Sequence, residues 1–169
     1  YIKHLYVEVA DFLVKNSRLR VGMADTLTFK PAEDKWGYRS VAKTIVDGYK
    51  DVTGEDIDAT SADIGLWYGG SFNKYARWAF MVTNGSHYTK VENDKYKKLM
   101  GQLHLIPVAG LSLVGYIDYE KQNDTASAYT YKLDVYFEMI RQLVIASEYF
   151  VYANDLKKEA VTGKKYDVS

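Results

Sequence analysis

Eight charged residues of this sequence have types and spacings suited to attracting small ions. Four cations and one carboxylate fall on the polar positions of segments in which polar and apolar residues alternate, so they would share the polar face of a sheet. Three more cations recur along one side of a segment with helical spacing. Cations arranged around a water path favour anions. The candidate pore or constriction residues are Arg20, Arg77, Lys98, Lys132 and Glu148 on the alternating segments, and Arg39, Lys43 and Lys50 on the helical one.

Other reactive side chains predict neither catalysis nor a metal site. His4, His87 and His104 are far apart and lack the HxH or HxxxH spacing that places two ligands on one element. Asp118 and Asp134 could act as an acid and base, but carboxylates collect on the polar face of any β-barrel. We therefore expect no catalytic residues, no metal and no cofactor, and a protein that is not an enzyme.

The composition excludes several classes of protein. The 22 basic residues balance 22 acidic residues, so no overall positive charge attracts nucleic acid. The chain has no cysteine, which removes disulfide scaffolds, thiol catalysis and cysteine-ligated metals. Sixteen tyrosines and only two prolines favour strands. The length of 169 residues suits one domain over residues 1–169.

Alternation of apolar and polar residues with period two runs through eight segments of the chain. In the clearest one, Tyr131, Leu133 and Val135 alternate with Lys132 and Asp134. Each segment predicts a strand with one apolar and one polar face, and together they predict an all-β fold. The segments lie near residues 3–9, 18–23, 62–69, 75–83, 98–105, 111–120, 129–138 and 143–152.

The connections between these segments alternate between short and long. An antiparallel meander with its long loops at one end is typical of up-and-down transmembrane β-barrels. A tilted strand of about 10 residues also rises close to the ~25 Å apolar band of such barrels. A soluble sheet whose apolar face is its core stays open as an alternative. The breaks are short near residues 15–17, 69–74, 107–110 and 140–142, and longer at 25–60, 84–94, 121–127 and after 154.

The connection over residues 25–60 is too long to be a passive link between strands. Within it Val41, Ile45 and Tyr49 recur at helical spacing, and Arg39, Lys43 and Lys50 belong to a charged stripe on another face. This pattern predicts a short amphipathic helix. Folded into the mouth of a barrel, it would lay its apolar side on the wall and turn its cations towards the water path, as an extracellular or constriction loop.

Five stretches of the chain carry a family resemblance: residues 19–22 (LRVG), 24–26 (ADT), 36–39 (WGYR) with 43–44 (KT), 81–85 (MVTNG) and 143–150 (LVIASEYF). With them the chain resembles the phosphate-selective porin O/P type of bacterial outer-membrane β-barrel. The resemblance implies a Gram-negative outer-membrane channel for passive diffusion of small hydrophilic solutes, anions among them. It also implies contact with outer-membrane lipid and lipopolysaccharide, and a trimer.

Members of that family are longer and have more than eight strands, so we expect this chain to form part of a barrel. Two other functions stay open. The strands could form a scaffold or sheath around a partner protein, such as a cytochrome, or a soluble eight-stranded barrel around an apolar ligand. The predicted polar face is mixed in charge, since cations such as Arg18 and Arg20 accompany carboxylates such as Glu8, Asp63 and Glu138.

Overall fold

Eight β-strands provide almost all the regular structure of the chain, in a computed structural model that describes residues 2–35, 43–44, 46, 60–86, 95–140 and 143–155. All eight belong to one antiparallel sheet in the order of the chain. The predicted all-β, up-and-down fold is confirmed, with a strand in each alternating segment. The strands are β1 (Leu5–Ala10), β2 (Ser17–Asp25), β3 (Ala62–Asn73), β4 (Ala76–Thr83), β5 (Lys98–Val108), β6 (Leu111–Lys121), β7 (Ser127–Ile140) and β8 (Leu143–Asn154).

The sheet is open at both edges. Among the described residues, β1 is hydrogen-bonded to β2 alone and β8 to β7 alone, so these eight strands do not close into the barrel that the loop pattern predicts. A closed barrel of eight strands has an interior just wide enough for its own side chains. One surface of this sheet carries the β2–β3 connection, which needs more room than the interior of an eight-stranded barrel offers.

The connections alternate in length as predicted, with the short ones at one end of the sheet. The β3–β4 turn is closed by the Asn73 side chain, whose Oδ1 accepts hydrogen bonds from the backbone N–H groups of Tyr75 and Ala76, at 2.7 and 3.0 Å. In the β5–β6 turn Gly110 has a φ of +82°, a conformation that residues with a Cβ seldom adopt. These turns fix the register of the two hairpins.

The described start of the β2–β3 connection folds into a short helix, α1 (Lys30–Lys35). Pro31 suits the first turn of a helix, where a backbone N–H needs no partner, and Lys30 forms an i,i+4 ion pair with Asp34. Six residues are too few for a stable isolated helix, so α1 depends on packing, with Ala32 buried. The helix predicted around Val41, Ile45 and Tyr49 lies largely outside the described residues, which include only residues 43, 44 and 46 of it.

Two connections at the long-loop end are joined by a polar contact between Tyr96 and Asp124. The Tyr96 hydroxyl donates a 2.6 Å hydrogen bond to Asp124 Oδ1. The ammonium groups of Lys95 and Lys121 lie 3.7 and 3.9 Å from the same oxygen. The hydrogen bond from Tyr96, followed by the charge of Lys121 and the hydrogen bond from Lys95, lowers the pKa of the Asp124 carboxyl below its ordinary value of 3.8.

We expect Tyr96→Phe to raise the pKa of Asp124 towards 3.8. A carboxyl whose pKa is lower in the folded state stabilises the fold above its unfolded-state pKa, and this contribution disappears as the pH falls through the folded-state pKa. The variant should therefore be less stable than wild type at pH 7 and equal to it in strong acid. A carboxyl ¹³C titration followed by NMR, with thermal unfolding at both pH values, measures this. An unchanged titration midpoint contradicts the proposed cause.

Candidate functional site

The two faces of the sheet differ in polarity, and the apolar face is the exposed one. Val21, Phe80 and Leu133, on three different strands, are 54%, 60% and 48% exposed. Lys132 and Asp134, which flank Leu133 along β7, are only 4% and 0% exposed. A water-soluble sheet has the opposite arrangement, because burying apolar surface is favourable and burying charge is costly. The predicted alternation is confirmed, and its covered side is the charged side.

Two lysines on the covered face each lie between two carboxylates. Lys132 Nζ is 2.9 Å from Asp134 Oδ2 and 3.4 Å from Glu148 Oε1. Strand register brings the three together, because Lys132 and Asp134 alternate along β7 and Glu148 lies opposite Asp134 on β8. Carboxylates outnumber lysines in this part of the face. The second group, on β5 and β6, consists of Lys98, Asp118 and Glu120, with N–O distances of 3.6 and 3.4 Å.

The β2–β3 connection covers this charged face. Thr28 donates a 2.6 Å hydrogen bond to the Tyr116 hydroxyl, which in turn donates one of 2.6 Å to Asp118 Oδ2. Gln102 Nε2 donates to the backbone oxygen of Leu27 at 2.8 Å. Apolar contacts add to these bonds in two small buried clusters. One cluster joins Leu27 to Ala24, Ala79, Met81, Met100 and Tyr116, and the other joins Phe29 and Val46 to Ala128, Phe150 and Tyr152.

A cavity of about 740 Å³ lies between α1 and the polar face, towards the short-turn end of the sheet. Asp34 is the one carboxylate among the described residues that line it. Counting also Glu8 and Glu138, which form ion pairs with lining residues, five cations face three carboxylates. The cavity is therefore electropositive, in contrast to the carboxylate-rich region on β5–β8. Its cations are Arg18, Arg20, Lys30, Lys35 and Arg77.

Two arginines of the cavity differ in how they are held. The Arg20 guanidinium donates a 2.6 Å hydrogen bond from Nε to Glu8 Oε2 and lies 4.7 Å from the Trp67 ring centroid, so it is fixed in place. Arg77 lies in register beside Ser71 on β3 and His104 on β5. Within the described part of the chain no carboxylate forms an ion pair with Arg77. Arg77 is exposed and presents its positive charge to the cavity that it lines.

The structure places most of the sequence-predicted site residues on one face. Arg20 and Arg77 line the cavity, and Lys98, Lys132 and Glu148 belong to the buried groups on β5–β8. The predicted residues are therefore on the same surface but in two separate regions, not in one ring. Lys43 is described and exposed, and Arg39 and Lys50 lie outside the described residues.

Sequence analysis missed the contributions of Lys30, Lys35 and Tyr116 to this surface. The segment Lys30–Lys35 carries a helix signal in Pro31 and in the i,i+4 pair of Lys30 with Asp34, and that signal could have identified α1. Nothing in the sequence links Tyr116 to the connection that it holds, because Thr28 is 88 residues away along the chain.

Within the described ranges, no group of three or more His, Cys, Asp or Glu side chains is arranged to hold a metal ion. None of the helices in this part of the chain is long and apolar enough to cross a membrane.

No protein-family model matches this chain, and neither a curated protein nor a solved structure is significantly similar to it. The site must therefore be interpreted from its own geometry and charge.

Proposed function

We propose that these strands form part of the wall of an outer-membrane β-barrel, a porin whose water-filled lumen lets small hydrophilic solutes, anions among them, diffuse passively. The observation that carries the proposal is the polarity of the sheet. Apolar side chains such as Phe80 and Leu133 are exposed, while Lys132 and Asp134 on the other face are covered. In a transmembrane barrel the apolar face meets lipid and the charged face meets the lumen.

A water-soluble fold is a poor explanation of the same arrangement. Monomeric soluble proteins rarely expose continuous apolar patches larger than a few hundred Å². The exposed large apolar residues here extend across the sheet from Val7 and Val21 through Phe80 and Leu103 to Tyr149. A soluble binding barrel would also enclose its ligand with the apolar face, whereas the β2–β3 connection packs against the charged one. A barrel in a bilayer accounts for both faces, because lipid meets the apolar face and the lumen meets the charged one.

The proposal requires partners for both edges of the sheet. In lipid, each unpaired backbone N–H or C=O group costs several kcal/mol, and β1 and β8 each have one unpaired edge among these eight strands. A barrel with more than eight strands satisfies both edges. It also has room on the inside for the β2–β3 connection and the cavity, which a barrel of eight strands does not.

The solute path is expected to pass the electropositive cavity beside α1. Arg77 and Arg18 lie on its wall, and Lys30 and Lys35 of the helix lie across from them. Such a constriction attracts anions and lets them pass, because its charges bind weakly at several points along the path. The described part of the β2–β3 connection, with α1, would then narrow the lumen.

Conductance of the protein in a planar bilayer tests this function. We expect open channel steps with anion preference in dilute salt, where charge effects are little screened. Arg18→Glu/Arg77→Glu should abolish or reverse that preference, because it replaces two cations of the cavity by anions. Lys15→Glu, at an exposed position in the β1–β2 turn, is the control and should keep the wild-type selectivity.

The alternatives give other results. Folded, membrane-inserted protein without channel steps would overturn the diffusion channel and favour a barrel that acts as a scaffold or sheath for a partner. A protein that remains folded and monodisperse in water without detergent would favour a soluble barrel.

A further inference from the structure

The apolar face carries a groove of about 650 Å³ that crosses the middle of the sheet. Its walls come from β4, β5 and β6, and its floor is formed by two glycines of β5 and β6, where no side chain covers the backbone. The wall residues are Trp78, Phe80, Leu103 and Ile117, and the floor residues are Gly101 and Gly115.

The two glycines of the floor are not required by the backbone. Gly101 lies opposite Ile117 and Gly115 opposite Leu103, so the glycines are diagonal neighbours. A Cβ on Gly101 would lie 3.5 Å from Ile117 Cγ2, an ordinary contact, and a Cβ on Gly115 would have no atom within 4 Å. At each of the other six described glycines a Cβ would lie within 3.0 Å of an atom. Neither floor glycine has a positive φ. Glycine inside a strand often marks a bulge, a tight bend, or close approach of a ligand or another backbone. The strand register is regular at Gly101 and Gly115, so neither marks a bulge.

One end of the groove leads to an aromatic and cationic rim at the short-turn end. The Trp78 ring lies 6.0 Å from the Phe72 ring and 5.8 Å from the Phe80 ring, centroid to centroid. Lys74 follows Phe72 by two residues at the tip of the β3–β4 turn, with its Nζ 4.8 Å from the Tyr75 ring centroid. The two flanking turns, residues 73–75 and 106–110, contain Lys74 and no acidic residue. The rim therefore complements an anionic group.

We propose that this groove binds one acyl chain of an anionic phospholipid whose phosphate group lies beside Lys74. The proposal rests on the proposed function, because the groove faces lipid only if this face of the sheet lies in a bilayer. The narrow apolar groove matches the acyl chain of such a lipid, and the single cation at its end matches the phosphate group. A second copy of the chain fits less well, since the pairing of two apolar faces gives no role to the cation at the rim.

Quenching of Trp78 fluorescence by brominated lipid tests the site. The chain has three tryptophans, and Trp36→Phe/Trp67→Phe leaves Trp78 alone. This variant is reconstituted in phosphatidylcholine vesicles that contain a small fraction of either phosphatidylglycerol or phosphatidylcholine brominated in mid-chain. We expect stronger quenching by the brominated phosphatidylglycerol at equal mole fraction.

Lys74→Gln should remove that preference, and Gly115→Leu, which fills the groove, should reduce quenching by both lipids. Val21→Leu, on the same face but outside the groove, should change neither.

The results that contradict the site differ from those that contradict the function. Equal quenching by both lipids, with Trp78 clearly accessible to them, overturns the lipid site and leaves the membrane barrel standing. No quenching by either lipid in vesicle-bound protein overturns the membrane barrel and the lipid site together. The Gly115→Leu variant could instead keep the lipid preference and change the molecular mass of the protein in detergent. That result would assign the groove to a second copy of the chain and would also overturn the lipid site.

Discussion

Leu133→Arg is expected to destabilise the bilayer-embedded protein by about 2–4 kcal/mol, which is the cost of a lipid-facing arginine near the middle of a membrane. Leu133 is 48% exposed and lies at the centre of β7, on the apolar face. In a water-soluble sheet the same exposed position would tolerate arginine within about 0.5 kcal/mol. The two environments therefore predict effects that differ several-fold for one substitution. Urea unfolding from phosphatidylcholine vesicles, with the folded fraction followed by tryptophan fluorescence, provides the measurement.

Leu13→Arg is the matched control for this experiment. Leu13 is 82% exposed, but it lies in the β1–β2 turn, beyond the strands. The proposed barrel places this turn in water or among lipid headgroups, so its substitution should be nearly neutral. Equal and small effects at both positions would show that the exposed apolar face does not meet lipid, and the membrane barrel would have to be given up.

Lys132→Met is expected to cost about 3–5 kcal/mol of folding stability, since removing one partner of a buried ion pair leaves an uncompensated buried charge. Lys132 is 4% exposed and its ammonium lies 2.9 Å from Asp134 Oδ2 and 3.4 Å from Glu148 Oε1. Methionine has nearly the same length as the lysine stem, so the loss comes mainly from charge and not from packing. Denaturant unfolding at pH 7 measures it.

The companion variant Asp134→Asn should be much less harmful. It keeps the size of the side chain and leaves Lys132 with Glu148, one cation for one carboxylate. The difference between the two variants therefore depends on charge balance and not on side-chain volume. If Asp134→Asn costs as much as Lys132→Met, the charge account of this buried group is wrong, and Asp134 must instead act through its shape or its hydrogen bonds.

Under the proposed function, the segregation of charge along the covered face has a consequence for conduction. Cations dominate near α1, where Arg77 faces water, while carboxylates outnumber lysines around Lys98 and Lys132. The β2–β3 connection packs on the carboxylate-rich side through Thr28 and Tyr116. In the proposed barrel a solute in the lumen would meet the cationic side, while Asp118 helps to hold the connection through Tyr116. The proposed path would then have a preferred sign of charge, although the polar face as a whole is mixed.

The sequence alone determined the strands and the division of their side chains between two faces. Alternation with period two is a local property, so Lys132, Asp134 and Leu133 were assigned to opposite faces without knowledge of their neighbours. The short connections predicted antiparallel hairpins in the same way, because a short turn can join only neighbouring antiparallel strands, whereas a parallel pair needs a long crossover. The site residues Arg20 and Arg77 followed from their positions on the polar side.

Only the tertiary structure decided which face is covered and what covers it. Alternation is symmetric under exchange of the two faces, so it cannot tell a soluble core from a lipid surface. That choice depends on where the β2–β3 connection packs, through contacts such as the one from Thr28 to Tyr116, 88 residues apart. The position of α1 at Lys30–Lys35 depends on the same packing, since a helix of six residues is not stable by itself. The pairing of Glu8 with Arg20 depends on strand register, which places the two residues opposite each other.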